Sequence, residues 1–85
     1  MHKFMDAVDN DPYTYFYKNG VCHARNGSLI IAQEEFLRAL SIDPYGKEAR
    51  LGLVKILNYY CCEKGIYCTA LDEQLRFVEE MGWDK

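Results

Sequence analysis

This chain of 85 residues is short of most features that would tie it to charge, membrane or metal chemistry. No apolar run approaches the 18 or so residues that a membrane helix needs. The opening MHKFMDAVDND has no apolar core of the kind a signal peptide carries. Both absences lead to the expectation of a soluble, cytoplasmic protein. No cluster of more than two Lys or Arg neighbours occurs and the net charge is −3, so a non-specific phosphate-binding footprint, and with it nucleic acid, is not expected. A glycine-rich phosphate loop, an H-E-x-x-H motif and a pair of catalytic carboxylates are all missing, which points away from an enzyme. Asp9-Asn10-Asp11 begins like a calcium loop, but Pro12 and Tyr13 follow, and the required glycine and terminal glutamate are missing. No cofactor or metal is expected.

The four cysteines, Cys22, Cys61, Cys62 and Cys68, do not make up for this. Zinc sites pair their ligands two to four residues apart, and C-C-x5-C with no second pair does not fit. Cys61 and Cys62 are about 100° apart on a helix and cannot grip one ion together. In a reducing cytosol they read as small buried hydrophobes, with a metal or redox role as the weaker alternative. Cys22-His23 resembles a nucleophile and base. Yet helix neighbours point apart, no orienting third group is evident, and packing is the simpler role for His23.

What remains is the composition of a folded domain: 49% hydrophobic, 27% charged, and 14% aromatic with seven tyrosines. At this length one domain over residues 1–85 buries roughly 60–65% of the surface its unfolded chain exposes. Tyrosine suits half-buried faces, since its ring packs while its hydroxyl stays wet.

The strongest positive signal is a repeat of 32 residues. Phe4, Ala7, Asp11, Pro12, Tyr13 and Gly20 return as Phe36, Ala39, Asp43, Pro44, Tyr45 and Gly52. Met5, Val8, Lys18 and Val21 return as Leu37, Leu40, Arg50 and Leu53. A period of this size belongs to stacked helical units, none of which can bury its apolar face alone. The punctuation agrees. Asp11-Pro12 starts a helix, with a side chain able to cap and a proline that suits the first turn. Asn26-Gly27 ends it, and Ser28 can cap the next, whose apolar stripe is Leu29, Ala32, Phe36, Ala39 and Leu40. Asp43-Pro44 repeats the start, Lys64-Gly65 closes the third helix, and Thr69 with Asp72 opens the fourth as a weak capping box. These signals predict an all-α fold with helices over 12–25, 28–42, 45–63 and 70–81, after a short one over 2–9. The third helix is expected to bury Leu51, Val54, Leu57 and Tyr60 or Cys61, and the fourth Leu71, Leu75 and Val78.

The stretch from Tyr13 to Pro44 resembles a tetratricopeptide repeat, a helix–turn–helix unit of about 34 residues. The signature is carried by Phe16 and Gly20 in the first helix, Gly27 in the turn, Ala32, Phe36 and Ala39 in the second helix, and Pro44 at the close. Residues 1–10 then read as the tail of a partial repeat, 12–44 as the first repeat, and 45–82 as a degenerate second repeat or capping hairpin. The second unit begins well with Pro44, Ala49, Leu51 and Gly52. It then departs: 13 residues separate Gly52 from Gly65 where seven separate Gly20 from Gly27, and Gln74 stands where a bulky residue belongs. The resemblance implies antiparallel hairpins stacked as a short right-handed superhelix, with first helices lining a concave groove.

That groove is the candidate site. The resemblance places Tyr17, Val21, Ala24 and Arg25, then Ala49, Leu53, Lys55 and Ile56, on or beside it. Lys18 and Arg25 give residues 12–27 a net charge of +2, whereas Glu34, Glu35, Arg38 and Asp43 give residues 28–44 a net of −2. The alternation continues, with +2 over 45–65 and −3 over 66–85. A mildly basic groove facing an acidic or amphipathic protein or peptide partner is one reading, and plain solvated surface is the other. The expected function is a non-catalytic protein-interaction module. Its rival is a structural repeat unit that associates with copies of itself, because arrays without polar caps leave apolar ends.

Overall fold

In the computed structural model residues 11–83 are described, and they form four helices: α1 Pro12–Arg25, α2 Leu29–Ile42, α3 Lys47–Lys64 and α4 Cys68–Met81. The helix expected over residues 2–9 and the partial repeat 1–10 lie outside the described residues. No strand occurs among the described residues, so the chain is all-α there. Helix α1 packs on α2 and α3 on α4, α2 also meets α3, and α1 touches α3 only lightly.

The first hairpin follows its sequence signals closely. Asp11 caps α1 through Oδ2, which accepts from the Thr14 amide at 3.1 Å, and Pro12 occupies the first turn. Gly27 takes the left-handed φ of 83° that ends the helix. Ser28 sits at the N-cap of α2 but its side chain makes no capping bond, contrary to expectation.

The second hairpin departs at both starts. Helix α3 begins at Lys47, because Asp43 here closes α2 instead of opening α3. Its Oδ1 accepts from the Tyr45 amide at 3.1 Å and its carbonyl accepts from the Gly46 amide at 3.0 Å, so Asp43-Pro44-Tyr45-Gly46 is a turn. Helix α4 begins at Cys68, before Thr69, so the Thr69–Asp72 capping box is not formed. The N-cap position is Tyr67, held at a left-handed φ of 64°. That conformation costs a side-chain-bearing residue energy. A disulfide between Cys61 and Cys68 brackets this tight turn.

The disulfide corrects the expectation that all four cysteines are buried thiols. Cys61 and Cys68 face each other across the last turn of α3 and the first of α4, and Cys22 and Cys62 are exposed. The reason is the fold itself: a three-residue connection brings positions 61 and 68 to a Cα separation of 4.9 Å.

The core joins Ala32, Phe36, Ala39 and Leu40 of α2 to Ala49, Leu53, Ile56 and Leu57 of α3 and Leu71 of α4. Val78 is buried as expected, but Leu75 is exposed and does not belong to the core face of α4. Helix α3 is also turned from its expected orientation. Leu53 and Ile56 are buried, whereas Leu51 and Val54 are half-buried.

Phe36 is the centre of this packing. A Cβ at Gly20 of α1 would come within 2.7 Å of the Phe36 ring, and one at Gly52 of α3 within 2.8 Å. The repeated glycine is thus one residue type used twice against a single ring. Gln74 also finds its explanation here. Its Oε1 accepts from Arg50 Nη1 at 2.8 Å, Arg50 Nη2 donates to the Pro44 carbonyl at 2.6 Å, and the guanidinium lies 3.7 Å from the centre of the Phe77 ring. A polar and cation–π tie between α3 and α4 replaces the bulky residue expected at position 74. Tyr45 and Trp83 complete that cluster around Phe77.

Two measurements check this packing. Phe36→Ala should cost roughly 3–5 kcal/mol, enough to unfold a domain this small. Gly52→Ala should cost about 1–3 kcal/mol in the parent and clearly less in a Phe36→Leu background, because the shorter side chain removes the clash. Equal costs in both backgrounds would show that the ring is not against Gly52. Thiol labelling of the whole chain should find two reactive cysteines before reduction and all four after it, with Cys61 and Cys68 the pair released.

Candidate functional site

The light contact between α1 and α3 leaves a cleft of about 660 Å³ between them. Tyr17, Val21, Ala24 and Arg25 form its α1 wall, while Leu29 and Phe36 of α2 form its floor. The α3 wall is built around Gly52, with Glu48, Leu51, Lys55, Ile56 and Tyr59 beside it. These positions stand four and one before Gly52 and three, four and seven after it, which places them on one helix face. Volume and lining are both in the range of pockets that take a substantial ligand, mostly apolar with a few polar groups.

Six of the eight candidate groove residues therefore line one cleft: Tyr17, Val21, Ala24, Arg25, Lys55 and Ile56. Ala49 and Leu53 do not. Both are fully or almost fully buried, packed with α2 and α4 in the core, and Ile56 offers only an edge at 4% exposure. The correction has a physical cause. The face of α3 that matches Tyr17, Val21 and Ala24 by repeat register lies against both α2 and α4. The same face of α1 packs on α2, meets α3 only lightly, and stays half-open. Leu29, Glu48, Leu51 and Tyr59 were not anticipated. The repeated glycine was the available signal: the α3 face that carries Gly52 past Phe36 also carries Glu48, Leu51, Lys55 and Tyr59.

Charge is set at the rim. Arg25 and Lys55 are exposed, and neither has an ion-pair partner among the described residues. Glu48 is engaged: its Oε1 accepts from the Tyr13 hydroxyl at 3.1 Å. The same hydroxyl accepts from the Ala49 amide at 3.1 Å. Tyr13 of the first unit thus supplies the cap that Gly46, having no side chain, cannot give α3. A Cβ at Gly46 would collide with the Tyr13 ring, so the glycine is required by the tyrosine.

Nothing resembling a catalytic set accompanies Cys22 and His23. Cys22 is exposed and its Sγ accepts from Asn26 Nδ2 at 3.9 Å, while the half-buried His23 ring has no hydrogen bond to a carboxylate among the described residues. No group of three His, Cys, Asp or Glu able to hold a metal occurs among the described residues, and no helix there is long and apolar enough to cross a membrane.

No protein-family model matches this chain, and no curated protein or solved structure matches it at a significant level.

Burial raises the Tyr13 pKa above the ordinary value of about 10, and the Glu48 carboxylate and Asp43 add to the rise against the opposing Ala49 amide bond. The folded phenol therefore keeps a proton that the unfolded one releases. Its contribution to stability is complete below pH 10 or so and is lost as pH climbs through the folded pKa. Tyr13→Phe should cost about 1 kcal/mol at neutral pH, and urea midpoints of parent and variant should converge above about pH 10. A gap that stays constant through that range would remove Tyr13 from the cap.

Proposed function

We propose that this chain is a non-catalytic protein-interaction module, tetratricopeptide-like in architecture, whose cleft between α1 and α3 receives an apolar segment of an acidic or amphipathic partner. The observation that carries this reading is the cleft: a mostly apolar lining, open to solvent, with Glu48 held by Tyr13 and two cations, Arg25 and Lys55, that have no ion-pair partner among the described residues. Tyrosine and arginine beside such a floor are the residue types that anchor protein contacts, because they bury large area and keep a polar handle. The cations act mainly on encounter and selection, favouring segments that carry a carboxylate next to their apolar anchors. The two-unit architecture explains why α1 and α3 would share one concave surface, since first helices of successive units run side by side in such stacks.

A second reading, self-association as a structural unit, is favoured by the exposed apolar residues of α2 and is developed below. The cytoplasmic setting expected from the sequence has the Cys61–Cys68 bond against it, because cytosolic reductants keep such pairs open. The oxidised hairpin fits an oxidising compartment better.

Panning a displayed random-peptide library against the folded chain tests the cleft. Selected sequences should combine apolar anchors with Asp or Glu. Arg25→Glu with Lys55→Glu should lose them while keeping the parent's melting curve, since exposed charge reversals alter stability little. Sequences without an acidic bias, or binding undiminished in the double variant, would remove the cleft from the function.

A further inference from the structure

Helix α2 is amphipathic in an unusual direction. Its inner side carries the buried Ala32, Phe36, Ala39 and Leu40. Its outer side nonetheless exposes four large aliphatic residues, Ile30, Ile31, Leu37 and Ile42, each between 45% and 48% accessible. At about 100° per residue these four occupy one arc, with Glu34 near its middle and Arg38 and Ser41 beside it. Arg38 leans toward Glu35, at 3.6 Å, whereas Glu34 is exposed and has no ion-pair partner among the described residues. The outer face of α2 is therefore a largely apolar helical surface that carries Glu34, unpaired among the described residues, beside an Arg38 drawn toward Glu35. This is the chemistry the cleft selects.

We infer that the occupant of the cleft is the outer face of α2 from a second copy of this chain. The inference rests on the cleft reading above and names its partner. Glu34 meets the unpaired Arg25 and Lys55, while Ile30 and Leu37, seven residues apart on the same stripe, enter the apolar floor as helix anchors. One contact thus covers both the cleft and the outer face of α2. The basic first helices and acidic second helices of the sequence are the two halves of one complementary contact.

The geometry also sets the form of the assembly. Phe36 turns from α2 into the core beneath the cleft of its own chain, while Glu34 lies on roughly the opposite side of the same helix, with Ile30 and Leu37 on the flank beside it. A chain therefore cannot fill its own cleft. Each copy presents one receiving and one donating surface in different directions, a heterologous contact that propagates as a chain or closes as a ring.

Sedimentation velocity of the full chain, over a concentration series from micromolar to millimolar, tests this with two variants. Leu37→Glu spoils the donating face and leaves the cleft, and Arg25→Glu with Lys55→Glu does the reverse. All these positions are exposed, and unchanged melting curves confirm that each variant folds. The parent should gain mass steadily with concentration and pass beyond the dimer, and each variant alone should stay monomeric. Mixed in equal amounts, the two variants retain one intact donor and one intact receiver and should form a dimer and nothing larger. A parent that stays monomeric throughout overturns the inference while leaving the panning result, and so the cleft itself, standing. Association that survives in either variant alone, or a mixture that fails to dimerise, overturns it as well.

Discussion

A single phenyl ring determines how closely three helices of this protein can approach. Phe36 stands on α2 with its edge against the backbone of α1 at Gly20 and of α3 at Gly52, and neither position has room for a methyl group beside it. Removing Cβ from both helices lets the ring fill the volume that side chains of α1 and α3 would otherwise occupy. The consequence reaches the surface. Because the ring meets α1 and α3 on either side, it holds their walls apart, and it lies buried directly beneath the floor of the cleft. Core packing and the candidate binding surface are therefore two sides of the same residue, and a change at Phe36 cannot separate them.

The contacts around this wedge divide the labour between the units. Tyr13 reaches from the first helix to the start of the third, accepts the Ala49 amide and donates to Glu48, and so fixes the axial position of α3 against α1. Its counterpart Tyr45 does nothing of the kind: it is exposed and leans on Phe77. Arg50, the counterpart of Lys18, lies over Phe77 and reaches Gln74 and Pro44, which ties α4 to the rest through polar and cation–π contacts. Burial lowers the Arg50 pKa without removing its charge at any ordinary pH, so the tie is insensitive to pH. The same residue, Tyr13 in one place and Tyr45 in the other, thus does different work, because each has different neighbours.

That difference marks how far the sequence was legible. The four helices, the boundaries of α1 and α2, and the roles of Gly20, Ala32, Phe36 and Ala39 could be read from periodicity and punctuation, since these depend on contacts within one hairpin. The starts of α3 and α4 could not. Asp43-Pro44-Tyr45 copies Asp11-Pro12-Tyr13, but the Tyr13 ring occupies the space beside Gly46 and supplies the cap from outside, and no local signal encodes that. The disulfide escaped for a similar reason. Two cysteines seven apart become partners only if a helix ends between them in a very short turn, here one that holds Tyr67 at positive φ. Of the candidate site, the α1 half was legible and the α3 half was partly misplaced, with Ala49 and Leu53 going to the core.

The misplacement shows what makes a surface available in a stacked array. Repeat register says which positions are equivalent, but openness depends on how many elements lie against each of them. In α3 the face of Ala49, Leu53 and Ile56 is sealed by α2 on one side and α4 on the other. In α1 the equivalent face packs on α2 and meets α3 only lightly, so Tyr17, Val21 and Ala24 stay half-open. The same rule acts on α2 in reverse, since its inner side is buried and its outer side stays about half exposed among the described residues, although both carry large aliphatic residues. Hydrophobic burial is worth about 25 cal/mol per Å² wherever water is excluded, so apolar area left uncovered favours whichever surface can cover it. The unpaired charges then select among such surfaces. With Arg25 and Lys55 outweighing Glu48 on the receiving side, and Glu34 on the donating one beside an Arg38 drawn toward Glu35, unlike faces attract more than like faces, which is why a contact between copies would be directional.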